Sequence, residues 1–223
     1  MKKLELTPLA DIPLIQAGDN LAKITLDALS RQNIDLFDGD ILVFAQKIVS
    51  KAENRLVYLP EVQPSEQAIQ IAAEVEKDPR FIELVLRESQ QVLRKRAGTI
   101  IVEHRKGFIC ANAGIDHSNV HGAYGDPDLW VLLLPEEPDR SAQLIRNEIE
   151  KQVGVKIGVL IIDSHGRAWR LGTVGVAIGL AGMPGLVDLR GEPDMFGYQL
   201  RVTQVAVADE LAAAASLVMG QAD

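Results

Sequence analysis

Strand-like and helix-like stretches alternate along the 223 residues, which predicts a fold of mixed α and β structure. Two further observations narrow that reading. No internal repeat and no low-complexity linker interrupts the chain, so residues 1–223 read as one domain, with the helical stretch 65–95 as a candidate insertion. The usual nucleotide loops are also missing. There is no G-x-x-x-x-G-K-[ST], and no G-x-G-x-x-G follows a strand.

The elements follow from local pattern. Asp19 is positioned to cap a helix that places Leu21, Ile24 and Ala28 on one face. Residues 40–45, entered from a Gly-Asp turn, read as a buried strand that delivers Gln46, Lys47 and Lys51 to its far end. Residues 65–95 are helical in pattern, broken near Asp78-Pro79. Residues 98–102 and 107–111 read as a strand pair, 117–129 as a long loop, and 130–134 as another apolar strand. Asp139 is the expected cap of a helix carrying Ala142, Ile145, Ile149 and Val153. Residues 155–162 form an apolar run ending at Asp163, and 172–185 are glycine-rich strand and turn. A short strand at 201–205 precedes an alanine-rich helix at 206–219.

Bulk properties exclude several classes. A net charge of −8 argues against a nucleic-acid partner, which asks for a basic face. The composition is that of a soluble globular protein. Glu5 and Asp11 interrupt any apolar stretch after Met1-Lys2-Lys3, so no signal peptide is expected. The uncharged stretch 171–187 is too short and too glycine-rich to span a membrane. The single cysteine, Cys110, lies in an apolar run and reads as a small buried residue. A reducing compartment, the cytoplasm, is the expected location.

Two segments carry candidate chemistry. Asn112 to Asn119 and Ile161 to Arg170 each place an aspartate, Asp116 or Asp163, after an apolar strand-like run. Two such carboxylates are suited to a hard divalent cation, although aspartate also caps turns after strands routinely. Ser164 offers a hydroxyl beside Asp163, and Asn119 is either a loop amide or a donor. Lys47 and Lys51 read as solvated lysines or as phosphate contacts. Arg167 and Arg170 flank Trp169, either as an anion fork with a stacking face or as a surface pair on a half-buried tryptophan. Asp188-Leu189-Arg190-Gly191-Glu192-Pro193-Asp194 is a charged turn that anchors a substrate or pins its own loop. Asp209-Glu210 reads as a complement to a helix dipole. The four histidines have no metal-ligand spacing, and zinc motifs are absent.

Taken in order, several longer matches resemble one known family. They are residues 12–19, 39–41 through 47–53, Asn112-Ala113-Gly114-Ile115-Asp116 with Ser118-Asn119, 134–142, the Asp163 segment, 188–191, and 207–221. The chain is similar to the gamma-glutamyl ligases of deazaflavin coenzyme F-420 biosynthesis over nearly its whole length. The resemblance implies an α+β fold of mixed sheets with flanking helices, unlike P-loop proteins, in an intertwined homodimer. It implies GTP-dependent addition of L-glutamate to the precursor F-420-0 through an acyl phosphate. Metal ligands are implied at Asp116, Asp163, Ser164 and Gln221, for two magnesium or manganese ions per site. Nucleotide contacts are implied at Ile12, Pro13, Leu14, Ile15, Gln46, Lys47, Lys51, Asn119, Met219, Gly220, Gln221 and Ala222. Lys47, Arg167 and Arg170 are the expected catalytic cations, with Lys51 assisting. A metal-dependent nucleotide phosphohydrolase and a non-catalytic GTP-binding regulatory module are the alternatives.

Three departures from the family pattern stand out. Asp163-Ser164 replaces the usual Asp-Thr and keeps the hydroxyl. The loop 120–129 is longer than usual. Family members continue beyond the position of Asp223, so the nucleotide site is expected either to be incomplete here or to be closed by a partner subunit.

Overall fold

The computed structural model describes residues 3–220. In chain order the elements are α1 (Leu21–Arg31), β1 (Ile41–Ala45), α2 (Gln46–Ala52), β2 (Leu56–Tyr58), α3 (Glu66–Val75), α4 (Pro79–Arg87), β3 (Ser89–Arg96), β4 (Thr99–His104), β5 (Ile109–Ala111), β6 (Trp130–Leu132), α5 (Pro138–Val153), β7 (Gly158–Gly166), β8 (Thr173–Ala181), β9 (Val187–Asp188), β10 (Gln204–Val205) and α6 (Val207–Met219). Helices and mixed sheets together give the expected α+β class. No described helix is long and apolar enough to cross a membrane. The chain divides into two compact units: Met1–Ala52 with Glu137–Ser164 and Val174–Asp223, and Glu53–Glu136 with His165–Thr173.

The first unit is built around the sheet β1-β7-β8, in which β1 and β7 run parallel. Val159, Leu160 and Ile161 are fully buried, and Ile162 nearly so. Such a continuous apolar run is what a strand covered on both faces requires. Period-two alternation then divides its side chains. Val159 and Ile161 join a core with Leu21, Ala142, Ile145 and Ile149 of α1 and α5. Leu160 and Ile162 join another with Ala208 and Ala212 of α6. Each such side chain contributes about 1.5–3 kcal/mol by burial.

Alanine richness in α6 has a packing reason. A side chain at Gly175 of β8 would collide with the Ala212 carbonyl oxygen, so α6 lies close against the strand at this glycine, with Ala208, Ala212 and Ala215 buried. The cap of α1 is Asn20, whose side chain accepts the Lys23 N–H at 2.9 Å. Asp19, the expected cap, instead accepts the Gln16 N–H at 2.8 Å and closes the preceding turn. Asp139 lies one residue inside α5 behind Pro138, and its carboxylate accepts the Leu180 N–H of β8 at 2.8 Å. Asp209 accepts the Ala177 N–H of the same strand at 2.9 Å. Both carboxylates therefore bind an edge strand, a role beyond capping or dipole compensation.

In the second unit, α3 and α4 cover the antiparallel sheet β3-β4-β5, and β2 pairs antiparallel with β6. Ile100 and Val102 of β4 point into a core with Ile71, Val75, Ile82 and Val85. Cys110 is buried in that core, as its apolar context predicted. The helical expectation for 65–95 holds for α3 and α4, with the break at Asp78-Pro79. It fails for Ser89–Arg96, which is strand. Gln, Leu, Arg and Lys favour helix weakly, but beyond Leu86 no apolar stripe at helical spacing remains to bury, and pairing with Thr99–His104 prevails.

Candidate active site

The turn before Asp116 has a constrained backbone. Asn112, Ala113 and Gly114 have φ of 54°, 54° and 67°, three consecutive residues in the left-handed region. For Asn112 and Ala113 this costs about 1–2 kcal/mol each. Packing holds the turn: Ala113 and Ile115 are buried in the core, and Leu134 lies against Gly114. Asp116 follows, paired through its backbone with Leu132 at 3.0 and 2.9 Å. The buried Asn112 Oδ1 has no hydrogen-bond partner among the described residues. Asparagine is ordinary in turns, so nothing in the sequence marks Asn112 as a donor.

Aromatic contacts fix the residues beside both aspartate segments. His117 stacks on Phe81 with ring centroids 5.4 Å apart, and His165 tilts against Phe108 at 5.5 Å. Phe108 in turn stacks on the fully buried His104 at 4.9 Å. His104 Nδ1 accepts the Lys106 N–H at 3.1 Å, while Nε2 faces Glu88 Oε2 at 3.7 Å. Burial first, then the Lys106 charge, lowers the His104 pKa to about 4. Glu88 also receives Arg105 at 2.8 Å and Arg55 at 3.4 Å. This buried polar group has no local signature, because its members are spread from Arg55 to Lys106.

Asp163 and Ser164 do not follow a strand; they lie within β7, which continues to Gly166. The Asp163 carboxylate accepts the Ser164 N–H at 2.8 Å. Asp116 belongs to the second unit, and Asp163 and Ser164 to the first. Their donors are all oxygens, which suits magnesium or manganese better than zinc. No group of three or more His, Cys, Asp or Glu side chains gathers as a metal cluster among the described residues. Gln221 and Ala222, the remaining expected contacts, lie outside the described residues.

The first unit collects most of the expected nucleotide contacts. Ile15 is buried in its core with Ile12 packed beside it, while Leu14 is 90% exposed. The segment carrying them is tied to α2 by the Gly18 N–H, which donates to the Ala52 carbonyl at 2.8 Å. Gln46 is buried, and its Oε1 accepts the Ser50 hydroxyl at 2.9 Å. Burial and the neighbouring Lys47 charge depress the Lys51 pKa. Met219 ends α6, and Gly220 caps it with φ 74°. In the second unit, Asn119 is exposed in a left-handed conformation, φ 56°.

Arg167 and Arg170 are exposed. Trp169 between them is fully exposed, with φ 61°, so the reading of a half-buried tryptophan clamping the arginines is wrong. No ring between them is buried enough to hold them in place. The 188–194 turn is pinned internally: Asp188 receives Arg190 Nε at 2.9 Å, and Asp194 accepts the Phe196 and Tyr198 N–H groups.

Comparison with known proteins bears on this arrangement. The Coenzyme F420:L-glutamate ligase of Methanothermobacter thermautotrophicus is 48% identical over 212 residues, 95% of this chain and 82% of that protein. The protein of the same name from Methanopyrus kandleri is 46% identical over 209 residues, covering 94% and 79%. That from Methanocaldococcus jannaschii is 40% identical over 222 residues, covering 100% and 84%. Residues 10–223 match the family F420-0:Gamma-glutamyl ligase, and with these relatives the match establishes that the chain belongs to that family.

Proposed function

We propose that this protein is a GTP-dependent ligase that joins L-glutamate to the deazaflavin precursor F-420-0 through an amide bond. The observation that carries the reading is the family match across residues 10–223. In the proposed sequence, a carboxylate oxygen of the precursor attacks the γ-phosphorus of GTP. An acyl phosphate forms and GDP leaves. The glutamate amine then attacks the acyl carbon, phosphate departs and the amine proton is lost, leaving the amide.

The chain's residues have roles suited to this chemistry. Lys47 and Lys51 lie one turn apart on α2, and their mutual repulsion is relieved by an anion such as a phosphate. Leu14 offers an exposed apolar contact for the nucleotide base. Arg167 and Arg170 sit on an exposed segment, where they are available to a phosphoryl oxygen. Asp116, Asp163 and Ser164, with Gln221, would hold magnesium or manganese, which when bound neutralises phosphate charge. Water must be kept from the acyl phosphate, which an intertwined homodimer would assist.

Asp116→Asn tests the assignment. Metal- and glutamate-dependent GDP release should be abolished in the variant. Near-normal turnover at physiological magnesium would sink the role of Asp116. GDP release by the unaltered protein without any need for glutamate would favour a phosphohydrolase instead.

A further inference from the structure

The second unit contains a hollow of about 250 Å³ that none of the expected site residues lines. Leu59, Phe81 and Leu129 supply its apolar lining, together with the ring of His117, next in sequence to Asp116 and stacked on Phe81. Three charged side chains border it: Lys77, Asp78 and Asp128.

Their partners decide what the hollow offers a ligand. Asp78 is engaged: its carboxylate takes Arg80 Nε at 3.0 Å and a terminal guanidinium nitrogen at 2.6 Å. It also caps α4 by accepting the Arg80 N–H at 2.8 Å. Arg80 in turn depresses the Asp78 pKa, and burial opposes that shift. Lys77 Nζ lies 5.4 Å from the Phe81 ring centroid, a cation–π contact that steers the ammonium without neutralising it. The Asp128 carboxylate forms no hydrogen bond or ion pair among the described residues. Lys77 thus supplies a cation and Asp128 an anion to a lining that is otherwise apolar apart from Asp78 and His117. A pure anion would meet Asp128, and a pure cation would meet Lys77. A small dipolar molecule satisfies both.

We infer that this hollow binds the dipolar head of an α-amino acid, with Lys77 taking the α-carboxylate and Asp128 the α-ammonium. The inference rests on the ligase reading for the identity of the amino acid, L-glutamate. A molecule of that size fits within 250 Å³. Asp128 belongs to the loop 120–129, so the segment noted as unusually long supplies one of the two charges.

Direct binding separates this inference from the ligase reading. Radiolabelled L-glutamate is equilibrated by dialysis with the full chain, with Lys77→Met and with Asp128→Asn. Lys77 is half-buried and Asp128 exposed, so both variants should fold, which circular dichroism checks. The expected result is saturable binding by the unaltered chain, weakened tenfold or more in each variant. γ-Aminobutyrate, which lacks the α-carboxylate, and glutarate, which lacks the amine, should compete poorly. Absence of binding by the unaltered chain, or equal affinity in the variants, overturns the inference. Glutamate-dependent GDP release is measured in parallel: its occurrence reports on the ligase reading, and its KM for glutamate reports on the hollow. Turnover with an unchanged KM for glutamate in both variants would leave the ligase standing and remove the amino acid from this hollow.

Discussion

Replacing Gly114 with alanine should destabilise the protein by about 2–4 kcal/mol. Two costs combine. A φ of 67° costs an L-residue about 1 kcal/mol relative to glycine. The added methyl would also lie 2.7 Å from Leu134 Cδ1, 2.9 Å from Cγ and 3.1 Å from Cδ2. Leu134 is 1% exposed and has little room to yield, so overpacking adds about 1–3 kcal/mol. Urea unfolding followed by circular dichroism measures the loss. Leu134→Ala alone should cost about 2–5 kcal/mol through its cavity. In the double variant the new methyl occupies the vacated space, so the combined loss should fall short of the sum by about 1–3 kcal/mol. The φ cost remains in both backgrounds. A Gly114→Ala loss below about 0.5 kcal/mol, or strict additivity, would refute the claim that Leu134 and the left-handed turn constrain each other. Because this turn leads into Asp116, the variant should also lose glutamate-dependent GDP release.

Acid should destabilise the second unit through His104. Its folded pKa, about 4, lies below the ordinary 6.5, so the unfolded chain binds more protons in that window. The stability is full above about 6.5 and is lost as pH falls towards 4; His104→Gln should flatten the dependence of the urea midpoint on pH between 7 and 4.5. Asp188 should titrate near 2 by carboxyl carbon NMR, because Arg190 stabilises its charge. Its contribution is present above the ordinary 3.8 and lost as pH falls through about 2; Arg190→Ala should move the midpoint back towards 3.8, and an unmoved midpoint would contradict the pairing.

What could be read from sequence was what depends on local pattern. The apolar run 155–162 announced a strand, and Pro79 announced the break between α3 and α4. Misreadings came where a tertiary partner decides. Ser89–Arg96 has no strong intrinsic preference, and only β4 makes it a strand. Asp139 and Asp209 look like helix-end carboxylates from either side of the sequence, yet their partners are Leu180 and Ala177, 41 and 32 residues away. Trp169 reads as a residue that seeks burial, and only the fold leaves it exposed. In the candidate site, Asp116 and Asp163 stood out as acids beside apolar runs, and Lys47 and Lys51 through their spacing. The hollow beside His117 was invisible, because Leu59, Lys77, Phe81 and Asp128 converge from separate elements.

The two carboxylates on β8 also bear on how copies of this chain can associate. β8 is an edge of the described sheet β1-β7-β8. An exposed edge ordinarily offers its N–H groups to the strand of another molecule. Here the Ala177 and Leu180 donors are already held by Asp209 and Asp139, each anchored on a helix of the same unit. The contacts that seat α5 and α6 on β8 thus also occupy backbone donors of an edge strand, which leaves it fewer to offer another molecule.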